Sequence, residues 1–154
     1  MNLTTIDHIH TLQRSPLIMA PILHAFYCEL QETQKNILFS YLVLPFVLHE
    51  ATASYLHRIS ERNTWRTMVG DKTRIAGVHK RIHSLRDITN VTLMSLVSAQ
   101  YLTIDEDLVV RATDKTYSPL KGLGQKVASA RNLAKLLQDR EAPRVFKSLG
   151  IVQL

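Results

Sequence analysis

Only one cysteine, Cys28, occurs in 154 residues, so no internal disulfide can form and a reducing cytoplasm is the expected compartment. Cys28 lies in a helical segment, where a buried, inert thiol is expected rather than a nucleophile. Glycine and proline are scarce, at five each, which suits a mainly helical globular chain. No basic n-region followed by an apolar h-region opens the sequence, so no secretion signal is expected. Repeats and low-complexity tracts are absent. The uncharged run at residues 37–48 is twelve residues long. It falls short of the roughly 20 needed to cross a bilayer and is interrupted by Pro45, so no membrane partner is expected.

A catalytic constellation is also missing. There is no Ser/His/Asp order, no nucleophile elbow and no pair of carboxylates, so neither a catalytic residue nor a cofactor is expected. His79 and His83 have the i, i+4 spacing of two metal ligands. No glutamate sits between them in an H-E-x-x-H word and no third ligand is implied, so they read as a solvated basic face. His49-Glu50 reads as a helix cap or turn beside a buried run. Gly122-Leu123-Gly124 reads as a turn before a helix, because the phosphate-loop spacing is absent.

The charge that is present is concentrated. Residues 57–86 hold eight Lys/Arg against Glu61 and Asp71, an excess of six that equals the net charge of the whole chain. A single basic band on an otherwise neutral protein points to an acidic partner, either a nucleic-acid backbone or an acidic protein surface. Arg58, Arg62, Arg66, Arg74, Lys80 and Arg81 are the candidate contacts. The first three recur every four residues, and one persistent helix would stack them on one face.

The pattern predicts one domain over residues 1–154, with residues 1–18 as a flexible or partner-bound N-terminal segment. A chain of this length buries about 70 % of its unfolded surface. Pro21 is expected in the first turn of a helix running to about Gln31, followed by a buried helix and a turn marked by Pro45. Asp71 and Asp87-Ile88-Thr89 are expected to start two further helices. Alternation at Leu102/Ile104 and Leu108/Val110 around Asp105-Glu106-Asp107 predicts a β-hairpin. The last long helix, about 121–138, carries a narrow apolar seam that includes Leu123, Val127 and Leu137. Val145, Phe146 and Leu149 close the chain with a second apolar patch. These six residues are the expected protein-partner interface, on the premise that one small domain seldom needs both features for its own core.

Helix, helix, hairpin is the order of a winged helix. The fold class is therefore mainly α with a small β-hairpin, winged-helix-like. The helix expected at 88–100 has no Lys or Arg and the hairpin tip is acidic, so phosphates would find no partner on the usual reading face. That favours a winged helix used for protein interaction, with DNA contact confined to the basic band and independent of sequence. A stand-alone winged-helix transcription regulator is the alternative, and it requires an exposed basic reading helix.

Residues 44–49, Leu-Pro-Phe-Val-Leu-His, carry the most distinctive word. With Ala20-Pro21-Ile22-Leu23-His24-Ala25-Phe26 upstream and Leu149-Gly150-Ile151 at the end, the chain resembles the middle components of bacterial ABC three-component conflict systems. That group includes the accessory subunit of Lamassu-type anti-phage defence. Ala20 stands where the family usually has Asn, and Ala130-Arg131-Asn132 where a Gly-Arg-Trp-like word is usual. The resemblance implies a non-catalytic subunit that bridges an ABC ATPase of the structural-maintenance-of-chromosomes type and a toxic effector such as a nuclease.

Overall fold

The computed structural model describes residues 15–153. The N-terminal segment expected over residues 1–18 lies outside them except for its last four positions. Those four already belong to the first helix and its cap. Ser15 caps α1 (Pro16–Glu29), its hydroxyl accepting from the Leu17 amide at 3.3 Å, and Pro16 occupies the first turn. Pro21 is therefore inside the helix rather than at its start. The hydrogen bond it cannot donate would reach the carbonyl of Leu17, whose residue is 83 % exposed, so water can satisfy that oxygen.

A 3-10 turn (Asn36–Phe39) leads into α2 (Ser40–Val47), where Leu42, Val43, Leu44 and Phe46 are wholly buried. A helix that is apolar on every side belongs inside a protein, and α2 is the central element, packed on α1, α6 and α7. Pro45 lies within α2, and the chain turns at Leu48 and His49 instead. It then runs into α3 (Glu50–His57) at 102° to the preceding helical segment. Among the described residues no single helix is long and apolar enough to cross a membrane.

Arg58, Arg62 and Arg66 do not share a helix. Helix α3 stops at His57, and α4 (Trp65–Val69) starts afresh. The residues between compete for the backbone. Asn63 Oδ1 accepts from the Ser60 amide at 2.6 Å, and its amide donates to the Tyr55 hydroxyl at 2.9 Å. Thr64 and Thr67 then form a reciprocal capping box, which starts a helix and cannot sit inside one.

Asp71 caps α5 (Lys72–Ile75) as expected, accepting from the Thr73 amide at 2.9 Å. Gly77 adopts a left-handed conformation (φ 69°) that leads into α6 (Val78–Ser98). The break expected at Asp87–Thr89 is absent, and α6 is one helix of 21 residues. Val78, Ile82, Leu85, Thr89, Leu93 and Leu96 keep one phase along its buried face, so both halves face the same core. Thr89 does not cap; its hydroxyl donates back to the Leu85 carbonyl at 2.8 Å. Val91 and Met94 lie off this face and are exposed.

The hairpin forms from β1 (Leu102–Ile104) and β2 (Val110–Ala112), antiparallel, with Thr103 opposite Arg111. Leu108 falls in the turn rather than in the strand, because Asp105 Oδ1 gathers the amides of Asp107 and Val109, each at 3.0 Å. Arg111 bridges Asp105 and Glu32, both at 2.5 Å, and this ion pair holds the Asp105 carboxyl below its usual range. The free edge of β2 is covered by Asn36. Its side chain is fully buried, donates to the Val110 carbonyl at 3.0 Å and accepts from the Val110 amide at 2.6 Å. A side-chain amide thus stands in for a neighbouring strand.

Helices α7 (Gly124–Leu137) and α8 (Ala142–Ser148) complete the fold. The seam of α7 packs on α1 and α3. Ser129 and Asn132 tie it to the α3 carbonyls of Ala53 and Leu56. The result is one mainly helical unit with a two-stranded sheet.

Candidate partner-binding surfaces

The basic band divides into two sets. Arg58, Arg62, Arg66 and Lys80 are exposed. Arg74 and Arg81 are engaged in the fold. The Arg74 guanidinium lies 3.9 Å from the centre of the Tyr55 ring, donates to the Thr67 carbonyl at 3.1 Å and pairs with Asp71 at 3.5 Å. Arg81 donates to the carbonyls of Pro45 (3.1 Å), Arg74 (3.3 Å) and Ala76, joining α2 to the segment that enters α6. Burial pulls its pKa below the usual arginine range. These two cations are tied to carbonyls and a ring of their own chain, unlike the exposed four.

Arg81 also explains the distinctive word at residues 44–49. Leu44, Pro45 and Phe46 fill the core, and the Pro45 carbonyl is the one that Arg81 binds. His49 occupies the cap position of α3, with Nδ1 2.8 Å from the Thr52 hydroxyl. Burial, then the nearby Arg81 charge, lower its pKa and favour the neutral ring. The word therefore encodes a core helix and a corner, matching the cap or turn reading of His49-Glu50.

His79 and His83 are both exposed, and His79 Nε2 donates to the Leu149 carbonyl at 2.9 Å, fastening α6 to the end of α8. Gly122 (φ 87°) makes the expected turn before α7.

Four of the six residues expected to meet a partner belong to the chain's own core. Leu137, Val145, Phe146 and Leu149 are buried, and Trp65 closes over α8 with its Nε1 donating to Ser148 at 2.9 Å. The premise that one domain does not need both apolar features is overturned: the α7 seam packs on α1 and α3, and the α8 patch fills the space beside α4. Leu123 and Val127 differ. They are half-buried and line a cavity of about 230 Å³.

Three elements frame this cavity. Helix α1 brings His24 and Cys28, the connection after the hairpin brings Tyr117 and Leu120, and α7 adds Arg131 beside Leu123 and Val127. Tyr101 and Tyr117 stack at 4.3 Å, and the buried His24 ring meets both edge-on at 5.4 and 5.3 Å. Burial, with a smaller contribution from Arg131, lowers the His24 pKa, which favours the neutral imidazole. Cys28 is exposed on this wall rather than buried, with Sγ 3.5 Å from His24 Nε2. Burial on its inner side pushes the thiol pKa up despite Arg131, so it stays protonated and a weak nucleophile near neutrality. His24, Tyr101 and Tyr117 were not singled out from the sequence. They are far apart in the chain and share no period; only the fold brings them together.

The family model for the ABC-three component (ABC-3C) system Middle Component 3 matches residues 3–153. Comparison with curated proteins and with solved structures gave no match.

Proposed function

This chain belongs to the Middle Component 3 family of ABC three-component systems, and from that premise we propose that it is a non-catalytic subunit that holds the system's effector against its ABC ATPase. It is a middle component of a defence system, and such a component works with an ATPase and an effector. The bridging role, an ATPase of the structural-maintenance-of-chromosomes type and a Lamassu-type nuclease effector are our finer reading. The observation that carries it is the extent of the match, which runs through the basic band, the core word at 44–49 and the helices around the cavity. The test is three-way co-purification. With this subunit co-expressed, tagged ATPase should retain the effector; without it, retention should fall to background. Equal retention in both cases would overturn the bridging role.

The exposed cations support a second element of the proposal: sequence-independent contact with DNA inside the assembled complex. Arg58, Arg62, Arg66 and Lys80 are available for phosphates, while exposed positions on the second half of α6, such as Asn90, Val91 and Met94, carry no positive charge. A regulator that reads bases would need the reverse. Replacing Arg58, Arg62 and Arg66 together by alanine should weaken DNA binding by the complex and flatten its salt dependence, by about one unit of slope for each phosphate that is no longer neutralised. An unchanged slope, or a footprint on one short sequence that disappears with Asn90→Ala, would point to the regulator instead.

A further inference from the structure

We propose that the cavity between α1, the connection after the hairpin and α7 is a docking pocket for a partner subunit of the same system, taking one large apolar side chain with a carboxylate beside it. The proposal rests on the accessory-subunit reading and adds where a partner is held and what chemistry it offers.

Size decides what kind of occupant fits. Pockets that enclose a whole small-molecule ligand run to roughly 300–1,000 Å³. About 230 Å³ is smaller than that and suits a single anchoring side chain. The walls choose its character: Pro21, Leu120, Leu123 and Val127 with the Tyr117 ring make a largely apolar lining. Leu120 is 46 % exposed at the rim, a leucine left facing water beside an apolar hollow.

The charge at the pocket chooses the neighbour. Arg131 is the only lysine, arginine or carboxylate among the lining residues, and it is exposed. No ion pair involves it among the described residues; the nearby Glu29 is paired with Lys135 on the next turn of α7 instead. The neutral His24 and the protonated Cys28 leave the guanidinium as the pocket's single charge. An apolar socket with one unpaired guanidinium at its wall complements a side chain such as Leu or Phe followed by Asp or Glu. Aromatic anchors seated in pockets and arginines are both enriched among interface hot spots, and a guanidinium–carboxylate pair adds directional hydrogen bonds. A nucleic-acid backbone fits poorly, since it would meet one cation on an apolar surface. Leu123 and Val127, the half-buried end of the α7 seam, thereby keep a partner-facing role that the rest of the seam lacks.

Cys28 supplies a direct readout, because it is the chain's only cysteine and stands on the pocket wall. Iodoacetamide at mildly alkaline pH, where more of a thiol with a raised pKa is ionised, should alkylate it slowly but measurably in the isolated subunit and much more slowly still in the complex assembled with the ATPase and effector. Arg131→Glu and Val127→Trp, the second filling the socket, should each lower affinity for one of the two components by roughly 30-fold, the size of a hot-spot loss. Binding to the other component should be unchanged, as should the thermal melt of the subunit. Equal alkylation rates in the free and assembled protein, or wild-type affinity of both variants for both components, would overturn the pocket while leaving the bridging reading intact. A wild-type subunit that binds neither component would overturn both.

Discussion

Phe146→Asp should unfold the protein rather than detach a partner. Phe146 is 5 % exposed and sits in the common core with Val145, Leu149 and Ile151, under a helix pinned by Trp65 to Ser148 and by His79 to Leu149. Removing such a ring costs about 3–5 kcal/mol in cavity and transfer terms, before any charge is placed there. An unpaired carboxylate in that site adds several kcal/mol or must bind a proton to remain. The sum is comparable with the whole stability of a domain, about 5–15 kcal/mol. Circular dichroism should show reduced helicity at room temperature, and any failure to co-purify would follow from that. Phe146→Leu keeps the site apolar and should stay folded, with a modest loss of about 1–2 kcal/mol. A folded Phe146→Asp subunit that fails to bind its partners would reverse the assignment and make α8 an interface.

The second large effect belongs to Asn36. Its side chain satisfies both the amide and the carbonyl of Val110, and its backbone carbonyl accepts from the buried Tyr27 hydroxyl at 3.1 Å. Asn36→Ala leaves two backbone groups of the buried Val110 without partners. Each such group costs about 1–3 kcal/mol, so a total of about 2–6 kcal/mol is expected. For a chain of this size that corresponds to a fall in Tm of roughly 5–20 °C. The Val110 amide should also lose protection from hydrogen exchange before the helices do. Asn36→Asp keeps the acceptor and loses the donor at neutral pH. Burial raises the folded-state pKa of that carboxyl above its unfolded value, so below the raised pKa the protonated acid forms and can donate to the Val110 carbonyl. The Asn36→Asp protein should therefore be more stable in acid, with the gain disappearing as pH rises through the raised pKa. If Asn36→Ala melts within a degree or two of wild type, the hairpin edge does not depend on this side chain.

Several features were legible along the chain because they depend on local order. Apolar spacing located α7, alternation located the hairpin, and Asp71 marked a helix start. The misplaced boundaries have two causes. Asp87 and Thr89 suit a cap by composition, yet the buried stripe from Val78 to Leu96 never changes phase, and packing of that stripe overrides the local preference. The four-residue spacing of Arg58, Arg62 and Arg66 suited a helix, but Asn63 and Thr64 between them form competing hydrogen bonds. Nothing local marks Asn36, because its partner, Val110, is 74 residues away.

The sequence by itself determined the family, the mainly helical class with its hairpin, and the concentration of positive charge in one segment. Each of these is carried by residue identity or by periodicity over a few turns. The tertiary structure alone decided which of those charges face water, because Arg74 and Arg81 are engaged by carbonyls and a ring that neighbouring elements bring to them. It also decided which apolar residues remain for a partner. A seam suited to helix packing does not specify whose helix it meets, and here α1 and α3 of the same chain cover it. Of the expected interface residues, Leu123 and Val127 stay beside an open cavity with Cys28 and Arg131.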